Sequence, residues 1–196
     1  MDLTIAKEPA RATSRITSRH DAPLEAIVFA TRESTLGIVL AARSAAGICA
    51  ILIGSEIAEL TADLATQFPQ SPLVRNDRKL DDDLAKILRF IETPASGLDL
   101  DLDIHGTPFQ RRVWDALCAI PTGRTVSYAA LARRIGAPRA VRAVANACAA
   151  NAIALAIPCH RVVRSNGTVS GYRWGVERER ALIAREAAAG RELRLR

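Results

Sequence analysis

The sequence changes character near residue 104, and this change constrains the fold more than any other feature. Residues 25–53 contain three short runs rich in β-branched and apolar residues, whereas helix-capping signals recur after residue 106. Residues 1–103 hold 11 basic and 16 acidic side chains, and residues 104–196 hold 16 basic and 5 acidic ones. We therefore expect an α+β protein in which an acidic, β-rich half precedes a basic, helical half.

The first half has the pattern of a small α/β unit with antiparallel strands. Its apolar runs are separated by turn residues, and Ser55 and Asp81 are suitable caps for the helices that follow. The expected elements are strands at 25–31, 36–42 and 47–53, helices at 56–68 and 82–91, and an exposed or crossing strand at 98–104, where Leu and Asp alternate.

The second half predicts three consecutive helices. The boundary signals are Thr107 and Pro108 for the first helix, Ser127 and Gly136 for a second at 128–135, and Pro138 for a third at 139–150. Trp114 lies beside the apolar face of the first helix, so we expect it in the core.

The second and third helices have the spacing of a helix-turn-helix, whose second helix meets nucleic acid. The outward face of that helix is expected to carry Arg142 and four alanines, namely Ala140, Ala143, Ala147 and Ala150. Small side chains allow close approach in a narrow groove but do not read base edges. The pattern favours minor-groove binding with little sequence preference; an ordinary alanine-rich structural helix is the alternative.

All the basic residues of 104–196 are arginines, whose guanidinium groups match phosphate oxygens. This favours a polyanion as partner, and a merely solvated arginine surface is the alternative. The domains expected are a disordered tail at 1–22, an α/β domain at 23–104, a nucleic-acid-binding domain at 105–190, and a tail at 191–196.

Composition argues against several other classes of protein. The longest apolar runs are too short to cross a bilayer and the N-terminus lacks the apolar core of a signal peptide, so we expect a soluble, cytoplasmic monomer. The four cysteines and three histidines lack zinc-ligand spacing. Reduced thiols, no metal and no cofactor are therefore expected.

The strongest chemical signal is the segment Pro158-Cys159-His160-Arg161-Val162. A thiol becomes a strong nucleophile as the thiolate, and a neighbouring imidazole can take its proton while nearby arginines stabilise the resulting charge. Adjacent side chains often point in different directions, so the pentapeptide alone leaves a structural Cys-His pair open. Its surroundings decide between the two.

Those surroundings resemble the O6-alkylguanine-DNA alkyltransferases. The resemblance extends from about residue 25 to 188 and rests on the pentapeptide, on Asn151 and on three further motifs: Val126-Ser127-Tyr128, Arg142-Ala143-Val144, and Ser170-Gly171-Tyr172-Arg173-Trp174-Gly175. The last motif resembles the C-terminal half of bacterial Ada-type proteins, whose zinc-binding and regulatory modules have no counterpart in these 196 residues. A ribonuclease H-like first domain is implied as well.

The resemblance implies that Cys159 takes the alkyl group from O6 of guanine in duplex DNA and keeps it as a thioether. His160 would act as base toward Cys159 through water, and Glu186 would orient and charge that histidine. Asn151 would act geometrically, by tying the helix-turn-helix to the active-site strand. The lesion would have to be rotated out of the duplex first.

For binding, the resemblance implies that Tyr128 crowds the phosphate beside the target and then meets the guanine ring, while Arg142 fills the gap in the base stack. The carbonyls of Cys159 and Val162 would accept from the exocyclic amine of guanine. Backbone amides near Tyr172 and Arg173 would approach O6 and stabilise the departing guanine.

Arg173 and Trp174 depart from many eukaryotic-type members, which carry small residues at these two positions. Trp174 predicts a narrow pocket that favours methyl over benzyl groups. Thymine O4 lesions and ethyl groups stay open, as does the role of Cys148, which would contact the flipped base or fill the core. Three other functions compete: a non-reactive damage binder, which would lack the acceptor cysteine; a cysteine hydrolase, which would regenerate its thiol; and a transcriptional regulator.

Overall fold

The computed structural model describes residues 25–169 and 171–192. It begins with a four-stranded sheet in the order β3-β2-β1-β4. The strands are β1 (Ile27–Ser34), β2 (Gly37–Arg43), β3 (Ile48–Gly54) and β4 (Leu73–Arg75). The first three pair antiparallel and confirm the predicted meander, whereas β4 pairs with β1 in parallel and was not predicted. Three residues are too few to display an alternating pattern.

Two helices of the first half confirm the prediction and pack on the sheet. They are α1 (Ile57–Gln67), against β2 and β3, and α2 (Asp81–Glu92), against β1. The predicted caps are wrong. Glu56 precedes α1 without a side-chain cap, and Asp81 is the first residue of α2 because a short 3-10 helix runs into it.

The strand predicted at 98–104 is wrong. The segment forms a single parallel bridge, in which Ile48 N donates to Asp101 O at 2.7 Å and Asp103 N donates to Ile48 O at 2.9 Å. Leu100 and Leu102 are buried. The alternation of Leu and Asp therefore marks a crossing segment that runs beside β3 and buries its leucines. It makes too few backbone hydrogen bonds to form a strand.

β3 is where the two halves of the chain meet. Six consecutive residues, Ile48 to Ile53, are buried, so both faces of the strand are covered. At its edge, Ile51 N donates to Ala152 O and Ala154 N donates to Ile51 O, both at 2.9 Å. The loop that leads to Cys159 is thereby fixed to the sheet.

The helices of the second half are α3 (Pro108–Cys118), α4 (Tyr128–Arg134), α5 (Val141–Ala149) and α6 (Val176–Glu192). A capping box starts α3: Gln110 N donates to Thr107 Oγ1 at 3.2 Å and Thr107 N donates to Gln110 Oε1 at 2.8 Å. The first two helices begin where the sequence predicted, whereas α5 begins two residues later than the 139–150 predicted, because residues 137–140 form a turn.

The packing of α3 on α5 corrects one predicted face. Trp114 lies in the core as predicted, and its indole Nε1 donates to Ala147 O at 2.9 Å. Ala147 was predicted to face outward but is buried, because α3 covers it. The exposed side of α5 consists of Arg142, Ala143, Asn146, Ala149 and Ala150. Among the helices within 25–169 and 171–192, none has the length and apolar character needed to span a membrane.

Candidate active site

A two-residue ladder places the start of α4 beside Cys159. β5 (Val126–Ser127) pairs in parallel with β6 (Val162–Val163), which directly follows the 3-10 helix Cys159–Arg161. Ser127 Oγ accepts from Ala130 N at 3.1 Å and so starts α4 at Tyr128. The predicted substrate residues Tyr128 and Val162 are therefore brought close to the predicted nucleophile.

Asn151 fixes the loop that leads to the thiol. Its Oδ1 accepts from Ile153 N at 2.9 Å, and its Nδ2 donates to Ile157 O at 2.8 Å and to Cys159 Sγ at 3.3 Å. The side chain is fully buried just after α5. Between these anchors Leu155 adopts a left-handed φ of 69°, a conformation that costs free energy and persists only where its surroundings enforce it.

Cys159 is a protonated thiol in the resting protein. The side chain is 7% exposed, and burial raises its pKa to about 11, against the lowering effect of the Asn151 hydrogen bond. Almost no thiolate is present at neutral pH. Any nucleophilic role therefore requires a base that removes the proton during the reaction.

His160 and Glu186 form a buried pair next to Cys159 in the active-site segment. His160 Nε2 lies 2.9 Å from Glu186 Oε1, and both residues are buried. Burial would raise the pKa of Glu186, but the hydrogen bonds from His160 and Arg161 prevail and lower it to about 2. An ionised carboxylate only accepts, so Nε2 carries a proton. Within the described residues the buried Nδ1 makes no hydrogen bond.

Arg161 was expected to stabilise a thiolate, but its contacts lie elsewhere. Its Nε and Nη2 donate to the two oxygens of Glu186 at 2.8 and 2.9 Å, and its Nη1 donates to Ile120 O at 2.6 Å. The guanidinium thus neutralises Glu186 and joins it to the turn after α3. The position of Arg161 next to His160 indicates that it lies near the site, but the sequence does not show which carboxylate it pairs with.

A glycine closes the same network. Gly123 N donates to Glu186 Oε2 at 3.2 Å, and its φ is 75°. A Cβ at this position would lie 2.7 Å from the backbone oxygen of Glu186. The turn can therefore approach α6 only with glycine at residue 123.

Aromatic residues form the wall beside His160. The Tyr172 ring lies edge-on to His160, with centroids 6.3 Å apart, and to Trp174, with centroids 5.1 Å apart. Tyr172 and Trp174 are both buried, and burial raises the pKa of Tyr172 well above its ordinary value. The predicted residue Tyr172 thus adjoins His160, and the predicted residue Trp174 packs against Tyr172.

Two arginines hold this wall against the first half of the chain. The Arg173 side chain forms an ion pair with Asp63 of α1. Arg178 donates to Leu36 O at 2.6 Å, to Trp174 O at 2.8 Å and to Ser55 Oγ at 2.9 Å. Arg178 was missed from the sequence, where it was one of several charges in a helix.

The residues predicted to meet DNA lie toward the surface. Tyr128 lines a groove of about 570 Å³ together with Ala129, Val141, Arg164, Ser165 and Asn166. Burial, followed by the charges of Cys148, Glu179 and Cys159, raises the pKa of Tyr128 to about 12. Arg142 is exposed in the first turn of α5, and Cys148 of the same helix is buried. No group of three or more ligand-type side chains among the described residues could hold a metal ion.

Comparisons with known proteins show which family this chain resembles. The family model described as "6-O-methylguanine DNA methyltransferase, DNA binding domain" matches residues 108–188. The chain is 48% identical over 169 residues to the Escherichia coli (strain K12) bifunctional transcriptional activator/DNA repair enzyme Ada, a match that covers 86% of the chain and 48% of that protein. The chain thus spans about half the length of this relative.

A relative of similar length shows the family. The chain is 39% identical over 146 residues to the inducible methylated-DNA–protein-cysteine methyltransferase of Bacillus subtilis (strain 168), covering 73% of the chain and 82% of that protein. The crystal structure of Mycobacterium tuberculosis OGT in complex with DNA matches with a TM-score of 0.71 and 30% identity, over 83% of this chain and 94% of that one. The protein belongs to the O6-methylguanine-DNA methyltransferase family.

The buried network around Glu186 predicts how the free energy of unfolding changes in acid. Because the pKa of Glu186 is about 2 in the folded protein and about 4.5 when unfolded, its contribution to the free energy of unfolding is complete above pH 4.5 and is lost as the pH falls toward 2. That contribution is on the order of 3 kcal/mol. In Glu186→Gln, the free energy of unfolding should be lower at pH 7 and should fall less between pH 5 and 3.

Urea unfolding at pH 7, 5, 4 and 3 measures this difference. Glu177→Gln is the matched control, because the Glu177 side chain on the same helix is 84% exposed. An acid dependence in Glu186→Gln as steep as in the unmodified protein would show that Glu186 is not the group responsible.

Proposed function

We propose that this protein repairs DNA by direct reversal, as a methylated-DNA–protein-cysteine S-methyltransferase that transfers an alkyl group from O6 of guanine in duplex DNA to Cys159. The observation that carries the proposal is the buried network in which Asn151 contacts the thiol and Glu186 holds the adjacent His160. Membership of the family supports it. We further propose that the protein acts as a cytoplasmic monomer.

The proposed chemistry is one displacement at an sp³ carbon. His160 Nδ1 takes the proton of Cys159 through a water molecule, and the thiolate attacks the carbon bound to O6. The C–S bond forms as the C–O bond breaks, the bonding pair passes to the guanine ring system, and the ring gains the proton that balances the one lost by the thiol. A thioether is stable to water, so each molecule reacts once.

The buried position of Cys159 implies that the target base comes to the protein. A thiol that is 7% exposed cannot reach an atom inside a base stack, so the nucleotide has to leave the duplex. We propose that α4 and α5 act as a helix-turn-helix in the minor groove. Exposed Arg142 would fill the gap in the stack, and Tyr128, which lines the neighbouring groove, would meet the displaced nucleotide.

Backbone groups are proposed to recognise guanine. The Cys159 carbonyl accepts from Val162 N and keeps its second lone pair for the exocyclic amine of guanine. The Val162 carbonyl would accept from the same amine, and amides near Tyr172 and Arg173 would donate to O6. These contacts would distinguish guanine from adenine, which presents no amine at that position.

The first prediction tests the acceptor. After incubation with duplex DNA that contains O6-methylguanine, intact and peptide masses should show one added methyl group on Cys159 and none elsewhere. Cys159→Ala should gain no methyl group, whereas the matched control Cys118→Ala should be methylated like the unmodified protein, because Cys118 is exposed and outside the network. Unchanged mass with a reactive Cys159 thiol would refute the proposal, and continued turnover of substrate would indicate a hydrolase.

The second prediction concerns the size of the alkyl group. Trp174 is buried against Tyr172, whose ring lies edge-on to His160. We propose that Trp174 narrows the space for the alkyl group, so methyl should be transferred faster than benzyl. In Trp174→Gly the rate of benzyl transfer should rise by roughly tenfold or more, because removal of the indole ring leaves space for the benzyl ring. Trp174→Phe, which keeps a ring there, should stay slow. Equal methyl and benzyl rates in the unmodified protein would sink the idea.

A further inference from the structure

Glu179 is a buried acid that the proposed chemistry does not use. It is 1% exposed, and its Oε2 is enclosed without a hydrogen-bond partner among the residues that the structure describes. Leaving a carboxylate unpaired in a protein interior costs free energy, so this residue requires an explanation. Glu186, on the same buried stripe of α6, shows the contrast: both of its oxygens are paired.

Backbone hydrogen bonds link Glu179 to the segment that carries the aromatic wall. Glu179 N donates to Gly175 O at 3.1 Å, and Gly175 N donates to Tyr172 O at 3.0 Å. Tyr172 Oη and Trp174 Nε1 are also buried without partners among the described residues. Glu179 is thus joined through Gly175 to Tyr172, whose ring lies edge-on to His160.

The charge of Glu179 acts on titratable groups in three different segments. It raises the pKa of Cys159 in the 3-10 helix, of Tyr172 in the wall and of Tyr128 at the start of α4. Arg180, its neighbour in α6, lowers the pKa of Glu179 only in part, since Arg180 donates to exposed Glu177 at 2.6 Å. Arg178 and Glu186 also act on Tyr172.

No cation in the described residues neutralises Glu179 as Arg161 neutralises Glu186. A negative group bound to Cys159 Sγ would therefore share poorly solvated space with the Glu179 carboxylate. A neutral group of the same size would meet no such repulsion, and a cationic group would be attracted. The charge of the alkyl group is then selected independently of its size.

We propose that Glu179 sets the charge specificity of alkyl transfer: neutral and cationic groups are accepted, whereas groups that carry a carboxylate, such as carboxymethyl, are excluded. This inference rests on the proposed function, and it assigns Glu179 as a specificity-determining residue. The displacement itself is unchanged, since the C–S bond forms and the C–O bond breaks as for methyl. Only the charge carried beside the reacting carbon differs.

Two duplexes separate charge from size. One contains O6-carboxymethylguanine and the other O6-carbamoylmethylguanine, its neutral counterpart of nearly the same shape; O6-methylguanine is the reference. At pH 8 the unmodified protein should transfer carbamoylmethyl about tenfold or more faster than carboxymethyl, the size expected for two charges at close range in a partly solvated interior. Glu179→Gln should lower this ratio severalfold, and exposed Glu177→Gln should leave it unchanged.

The pH dependence of the unmodified protein tests the same inference without a substitution. Burial raises the pKa of Glu179 to about 7, so the residue is charged at pH 8 and largely neutral at pH 6. The ratio of carbamoylmethyl to carboxymethyl transfer should therefore shrink as the pH falls from 8 to 6, while the carboxymethyl group stays ionised throughout. In Glu179→Gln it should not change with pH.

The outcomes distinguish the two proposals. If no duplex transfers its alkyl group to Cys159, the proposed function fails. If methyl is transferred but the two larger groups react equally at pH 8, or if their ratio is the same at pH 6 and 8, the assignment of Glu179 is overturned. A ratio in Glu179→Gln equal to that of the unmodified protein would overturn it as well.

Discussion

The two oxygens of Glu186 accept hydrogen bonds from His160, from both sides of the Arg161 guanidinium and from Gly123 N. One carboxylate therefore joins α6, the 3-10 helix of the active site and the turn after α3. Such pairing stabilises a buried charge, and removing one partner would leave the other charge unpaired. This network orients His160. Its second ring nitrogen, Nδ1, is left without a hydrogen bond among the described residues.

The acceptor is fixed from the opposite direction by the sheet. β3 holds the loop at Ala152 and Ala154, and Asn151 then holds the turn that presents Cys159. The first half of the chain thus positions the chemistry of the second without contributing a reacting group. Arg178 strengthens the same dependence, because it joins the aromatic wall to Leu36 and Ser55.

Much of the fold follows from local signals in the sequence. The meander, the N-cap at Thr107 and the helix start at Tyr128 were predicted because each depends on neighbouring residues. The strand β4, the crossing segment at 98–104 and the burial of Ala147 were missed or wrong, because each is decided by a partner far away in the chain. The resemblance of the motifs identified Cys159, His160, Asn151 and Glu186, which the structure brings together.

The local sequence pattern did not indicate the contacts of Arg161, Arg178 and Glu179. Glu179, Leu182 and Glu186 fall on one stripe of α6, so a helical plot could have placed both glutamates on the buried face. It could not have told which of them has a cation for a partner. That difference arises from tertiary contacts and separates a carboxylate with a pKa of about 2 from one with a pKa of about 7.

The most direct test of the account is the single-turnover rate of methyl transfer in folded Glu186→Gln as a function of pH. If Glu186 enables His160 to deprotonate a thiol whose pKa is about 11, the rate at pH 7 should fall about a hundredfold. It should then rise about tenfold per pH unit as unassisted thiolate forms. A rate at pH 7 equal to that of the unmodified protein would contradict the account.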